Sequence, residues 1–126
     1  FYEIVPDEVA LIKEKLIYYA DRADLILTTG GTGLSPRDVT PEATLQVIER
    51  EIPGIAEAMR MGGLHKTKRA MLSRAVAGVR GNALIINMPG SPKAIKEGLE
   101  LIIDVIPHAV EKIKGSMEDC AVRETV

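Results

Sequence analysis

Leu25-Ile-Leu-Thr-Thr-Gly-Gly-Thr-Gly-Leu-Ser-Pro-Arg-Asp-Val-Thr-Pro-Glu-Ala-Thr44 decides the fold class. The apolar run from Ala23 to Thr29, with Leu-Ile-Leu inside it, reads as a strand covered on both faces in a parallel sheet. It then meets Gly30, Gly31 and Gly33, too dense in glycine for a regular element. Thr40-Pro41 restarts regular structure as a helix, with threonine as cap and proline at the first helical position. A buried strand that leaves its sheet through such a loop marks the carboxyl end at which open α/β sheets bind ligands.

Upstream, Phe1–Val5 reads as a short strand rich in aromatic and β-branched residues. Pro6 ends it, Asp7 is a natural N-cap, and Val9 to Ala20 repeats apolar residues at helical spacing. Downstream, the helix from Thr40 is expected to reach about Glu51. Pro53-Gly54 breaks it, and a second helix runs to about Met61. After Gly62-Gly63, a short helix is expected between His65 and Arg74. Val76–Arg80 and Ala83–Met88 read as strands about a Gly81-Asn82 turn. Ser91-Pro92 repeats the cap-and-proline helix start. That helix carries Leu99, Leu101, Ile102 and Val105, restarts at Pro107 and fades after Lys114-Gly115. A polar tail is expected from Ser116.

The alternation predicts an α/β domain: a three-layer sandwich of a mostly parallel sheet with helices on both faces. The 126 residues suit one domain spanning 1–126. Because Phe1 opens directly on strand-like sequence, further chain upstream is expected. Hydrophobic residues make up 46% and the net charge is −2. The absence of a basic excess argues against nucleic acid as the main partner. The absence of a long apolar run argues against a membrane partner. The lone Cys120 cannot form an internal disulfide, so a cytoplasmic location is expected.

Two loops carry the chemistry. In Thr28-Thr-Gly-Gly-Thr-Gly33 the glycines let backbone N–H groups approach an anion, or else they serve a tight turn. The loop has neither the P-loop ending nor the dinucleotide-fold spacing. In Asn87-Met-Pro-Gly-Ser-Pro-Lys93, Gly90 and Ser91 open a helix, where free N–H groups and the helix dipole suit a phosphate, or else Ser91 is a plain cap. Asp38 and Glu42 bracket the start of the helix after the first loop, beside Arg37. A carboxylate there fits an anion cradle if a divalent cation bridges the two. Alternatively, Asp38 caps the Val39-Thr40 turn. Asp7 closes the first segment and either faces the same crevice or caps its helix. Neither His65 nor His108 has a second ligand at metal spacing.

The run Leu27 to Thr44 closely resembles the signature of the Mog/MoaB molybdopterin-binding family, to which the gephyrin and plant Cnx G domains belong. Met71–Arg80 and Leu84–Lys93 resemble the family as well, so the likeness covers Val5 to about Lys114. The family domain normally begins with one more strand and helix, absent here. The retained Arg-Asp-Val-Thr-Pro-Glu-Ala-Thr continuation favours the Mog type over MoaB and the molybdenum insertases.

The resemblance implies Mg²⁺-dependent adenylylation of molybdopterin, with ATP as co-substrate and pyrophosphate released. It implies that Asp7 and Asp38 are catalytic, with Asp38 linked to the metal. It implies a substrate cradle of Thr29, Gly30, Gly31, Thr32, Gly33 and Ser35, completed by Pro89, Gly90, Ser91 and Lys93. A homotrimer and a downstream molybdenum insertase partner are also implied. The alternative is a non-catalytic molybdopterin-binding or oligomeric scaffold domain of the MoaB type.

Overall fold

The computed structural model describes residues 1–115; the tail expected from Ser116, with Cys120, lies outside the described residues. In chain order the elements are α1 (Val9–Ala20), β1 (Leu25–Thr29), α2 (Thr40–Val47), β2 (Arg50–Glu51), α3 (Pro53–Gly63), β3 (Ala77–Arg80), β4 (Ala83–Met88), α4 (Pro92–Ile102) and α5 (Ile106–Ile113). Short 3-10 segments, Lys68–Leu72 and Ile103–Val105, follow α3 and α4.

One sheet has the order β1-β4-β3-β2. β1 runs parallel to β4, with Leu25 opposite Leu84 and Thr29 opposite Met88. β3 is antiparallel to β4, and β2 to β3. The sheet is therefore mixed rather than mostly parallel. The cause is the two-residue Gly81-Asn82 connection, with Gly81 at φ 57°, which closes β3 and β4 into a hairpin.

Every residue of β4 is buried, and its two faces look into different cores. Leu84, Ile86 and Met88 pack with Ile55, Ile102 and Ile106 from α3, α4 and α5. Ile85 packs with Ile12, Leu16, Ala43 and Val47 from α1 and α2. Helices thus cover both faces, as expected. Burying a side chain of this size contributes roughly 1.5–3 kcal/mol, which makes β4 the spine of the domain. Among the described residues β1 pairs on one side only. A groove of about 530 Å³ follows its other side from Leu25 and Leu27 to Gly30 and Gly31.

Several local expectations are corrected. Phe1–Val5 forms no strand. It is held to α1 by side chains: Tyr19 donates to Glu3 at 2.6 Å, Lys15 pairs with Glu3 at 2.9 Å, and the Phe1 and Tyr19 rings lie 5.4 Å apart. Asp7 does not cap α1, since Glu8 occupies the N-cap without a side-chain bond. Thr40 is the first residue of α2, not its cap. α2 stops at Val47 because the following residues pair with β3, through Glu49 N–H to Val79 O at 2.7 Å and Ile52 N–H to Ala77 O at 2.8 Å. The short helix expected between His65 and Arg74 contracts to the 3-10 segment, which Thr67 caps by accepting from Arg69 N–H.

Candidate functional site

Because β1 and β4 are adjacent and parallel, their carboxyl ends lie side by side, and the two glycine-bearing loops leave the sheet together. Gly30 N–H donates to Met88 O at 3.0 Å. A Cβ on Gly90 would stand 3.5 Å from the Gly30 Cα. The expected cradles are therefore one surface, with the exposed Thr29, Gly90, Ser91 and Lys93 and the half-buried Gly30 and Pro89 around it. Ser91 accepts from Ala94 N–H at 3.2 Å, so it is the cap of α4. Pro92 has no N–H and Ile95 N–H donates to Ser91 O at 2.9 Å, so Lys93 N–H is the first-turn donor left at the positive end of the helix dipole.

Gly30 and Gly31 adopt φ of 85° and 71°, a region that side chains disfavour. Gly31 has a second constraint, because a Cβ on it would lie 2.2 Å from Thr40 Oγ1. Thr40 N–H in turn donates to Gly31 O at 3.2 Å. The loop is thus folded back onto the start of α2, and Thr32 is buried beneath it.

Beyond Gly33 the chain makes a turn at Ser35. Asp38 N–H donates to Ser35 O at 2.8 Å, and Ser35 N–H donates to Asp38 Oδ2 at 2.9 Å. The Asp38 side chain therefore points back into the loop and does not cap the Val39-Thr40 turn. Its Oδ1 has no hydrogen-bond partner among the described residues. Asp7 is exposed and lines the groove with Gly30, Gly31 and Thr40. Its Oδ2 lies 3.9 Å from the guanidinium of Arg37, the neighbour of Asp38. Both aspartates and both loops thus border one end of the sheet.

Among the described residues no group of three or more His, Cys, Asp or Glu side chains is placed to hold a metal ion. Mg²⁺ needs none, since it keeps several waters and takes one or two carboxylates plus substrate phosphate oxygens. The unpartnered Oδ1 of Asp38 fits that donor set.

Two residues that sequence reading left without a role organise the site. Asn87 is fully buried. Its Nδ2 donates to Thr28 Oγ1 and Thr44 Oγ1, both at 3.0 Å, while its Oδ1 accepts from Val76 N–H at 3.1 Å. It ties together β1, α2 and the segment entering β3. A polar residue within the apolar run Leu84–Met88 was its signal. Arg74 donates from Nε to Gly33 O at 2.8 Å, from Nη2 to Asp38 O at 2.6 Å and from Nη1 to Glu42. No local pattern marks it. The Arg74 guanidinium holds the Glu42 carboxyl below its ordinary value, against a smaller opposing effect of burial.

This architecture, with two contacting glycine loops at the carboxyl ends of adjacent parallel strands, defines an α/β ligand-binding domain of the three-layer type. The family of probable molybdopterin binding domains matches residues 1–108, and the chain belongs to that family. It is 49% identical over 118 residues to a molybdopterin adenylyltransferase of Helicobacter pylori, covering 92% of this chain and 67% of that one. It is 48% identical to gephyrin of Dictyostelium discoideum over 90% of this chain and 16% of gephyrin. The molybdopterin biosynthesis enzyme MoaB of Thermus thermophilus superposes with a TM-score of 0.85 at 58% identity, over 91% of this chain and 74% of that structure.

Proposed function

We propose that this chain is a molybdopterin adenylyltransferase of molybdenum-cofactor biosynthesis. The terminal phosphate of molybdopterin attacks the α-phosphorus of ATP. A new phosphoanhydride bond forms, the bond from the α-phosphorus to the bridging oxygen breaks, and pyrophosphate leaves with that oxygen. The observation that carries this reading is the contact between Gly30 and Gly90, which joins two anion-competent loops into one cradle. The adenylyltransferase relatives support it.

In this reading the N–H groups of Gly31–Gly33 and of Gly90, Ser91 and Lys93 at the start of α4 bind phosphate oxygens, Gly30 lines the cradle with its own N–H held by Met88 O, and Thr29, Ser35, Pro89 and Lys93 border the substrates. Alignment and charge neutralisation supply most of the rate in such transfers. Asp38, through Oδ1, would hold Mg²⁺, which when bound offsets the charge of ATP and pyrophosphate. Asp7, across the groove, orients the attacking phosphate through its surroundings.

The reading includes a homotrimer, supported by exposed apolar side chains such as Met61, Met71, Leu72 and Leu101, and hand-over of the product to a molybdenum insertase. It also includes a cytoplasmic location. Among the described residues no helix is long and apolar enough to cross a membrane. The test is pyrophosphate release with ATP and molybdopterin together, compared with either alone. Tight molybdopterin binding without release would favour the scaffold alternative.

A further inference from the structure

We propose that Arg74 is a positioning residue that locks the Gly30–Asp38 loop in its substrate-ready shape, and is not itself a phosphate ligand. An arginine beside an anion cradle is ordinarily taken for a ligand, because its planar fork suits phosphate. Here three of its five N–H donors, one on each nitrogen, are already engaged within the protein. Nε holds Gly33 O at 2.8 Å, Nη2 holds Asp38 O at 2.6 Å, and Nη1 pairs with the carboxylate of Glu42 on α2. Its own N–H donates to Thr32 O at 2.9 Å. One residue therefore grips the loop at three carbonyls and ties it to a helix.

The grip is anchored from behind. Arg60 of α3 donates from Nη1 to Ser73 O at 3.2 Å and to Ala75 O at 2.9 Å, the carbonyls on either side of Arg74. The neighbouring Val76 is pinned by Asn87. Residues 73–76, which lead into β3, are thus held from behind, and Arg74 is their working end. The loop needs such a device. Glycine-rich backbone has the most freedom to lose on ordering, and the Asp38 carboxylate takes its position from the turn that Arg74 clamps by its carbonyl. Lysine is a poor replacement for the arginine, since its three donors sit on one nitrogen, whereas the guanidinium reaches Gly33, Asp38 and Glu42 from three separate nitrogens.

The inference rests on the proposed transfer reaction for its kinetic consequence, though not for the clamp itself. The experiment therefore has two arms on Arg74→Lys and Arg74→Ala. The first arm follows hydrogen–deuterium exchange at Thr32–Asp38 and at β4, together with thermal melting. Exchange in the loop is expected to accelerate by about tenfold or more while β4 stays protected. The second arm measures ATP and molybdopterin kinetics. A misplaced loop lowers kcat by about 10²-fold, with KM for ATP within about threefold of the wild type. Added guanidinium ion should recover part of both effects in Arg74→Ala.

Unchanged loop exchange in a folded variant overturns the proposal. So does a KM for ATP raised by about tenfold at unaltered kcat, which would make Arg74 a nucleotide ligand. Loss of cooperative melting in both variants also overturns it, by making Arg74 a general stability residue. A faster-exchanging loop in a protein whose wild type shows no transfer would sink the reaction while leaving the clamp intact.

Discussion

Gly31 and Thr40 share a space too small for one more carbon: a Cβ on Gly31 would stand 2.2 Å from the threonine Oγ1 and 3.2 Å from its Cβ. Gly31 also sits at φ 71°. Gly31→Ala is therefore expected to destabilise the domain by at least about 2 kcal/mol, combining backbone strain with the clash. Gly54 is the control. It lies in the first turn of α3 with nothing within 4 Å of its would-be Cβ, so Gly54→Ala should be neutral or stabilising by about 0.5 kcal/mol. Thermal melting of the two variants checks the contrast. Equal melting temperatures would mean that the loop repacks freely.

Asn87 gives the second prediction. Replacing it by leucine leaves Val76 N–H, Thr28 and Thr44 facing an apolar side chain. Removing one member of a buried network costs about 1–3 kcal/mol for each group left unsatisfied, so Asn87→Leu should lower stability by roughly 3 kcal/mol. The denaturation midpoint should fall with an unchanged slope. A midpoint within experimental scatter of the wild type would show that the network contributes nothing net.

What the sequence revealed follows from the range of the interactions. The helix of Val9–Ala20 and the hairpin about Gly81-Asn82 depend on periodicity and a turn signal, so they were legible. The two loops were legible as candidates because glycine density and Ser-Pro are local signals. The strand expected at Phe1–Val5 failed because β structure depends on a pairing partner, and the Glu3 side chain instead ties the segment to Lys15 and Tyr19. β2 was missed because Arg50–Glu51 has neither length nor apolar alternation. Arg74 was invisible as an organiser because its side-chain partners lie 32 to 41 residues back along the chain.

Glu42 predicts a pH dependence. Its carboxyl is lowered from 4.5 by the hydrogen bond from Arg74. A depressed carboxylate contributes stability that is complete above the unfolded value and is lost as pH falls through the folded one. The stability difference between wild type and Glu42→Gln should therefore be constant from neutral pH to about pH 5 and vanish in stronger acid. Both partners are partly exposed, at 34% and 45%, so the plateau should stay below about 1 kcal/mol. Urea titrations across that range check it. A difference that grows towards acid would reverse the sign and refute the pairing.

Asp38→Asn isolates the chemistry. The amide oxygen can still accept from Ser35 N–H, so the fold should persist. The variant loses the charge at the atom that has no protein partner. Losing one stabilising group at a transition state commonly costs about 10²–10³-fold in rate, whereas molybdopterin affinity should hardly move. Turnover and pterin affinity measured on the same folded variant check this. Near-normal turnover would remove Asp38 from the mechanism.

The most direct measurement of the central claim follows a label. ATP carrying ³²P at the α-phosphate is mixed with excess protein, molybdopterin and Mg²⁺, and the products are separated. The account predicts that label moves into a pterin-containing product in step with pyrophosphate release, and that none moves without molybdopterin. Label that stays in ATP while molybdopterin is bound stoichiometrically, or that appears only as free AMP, would contradict adenylyl transfer.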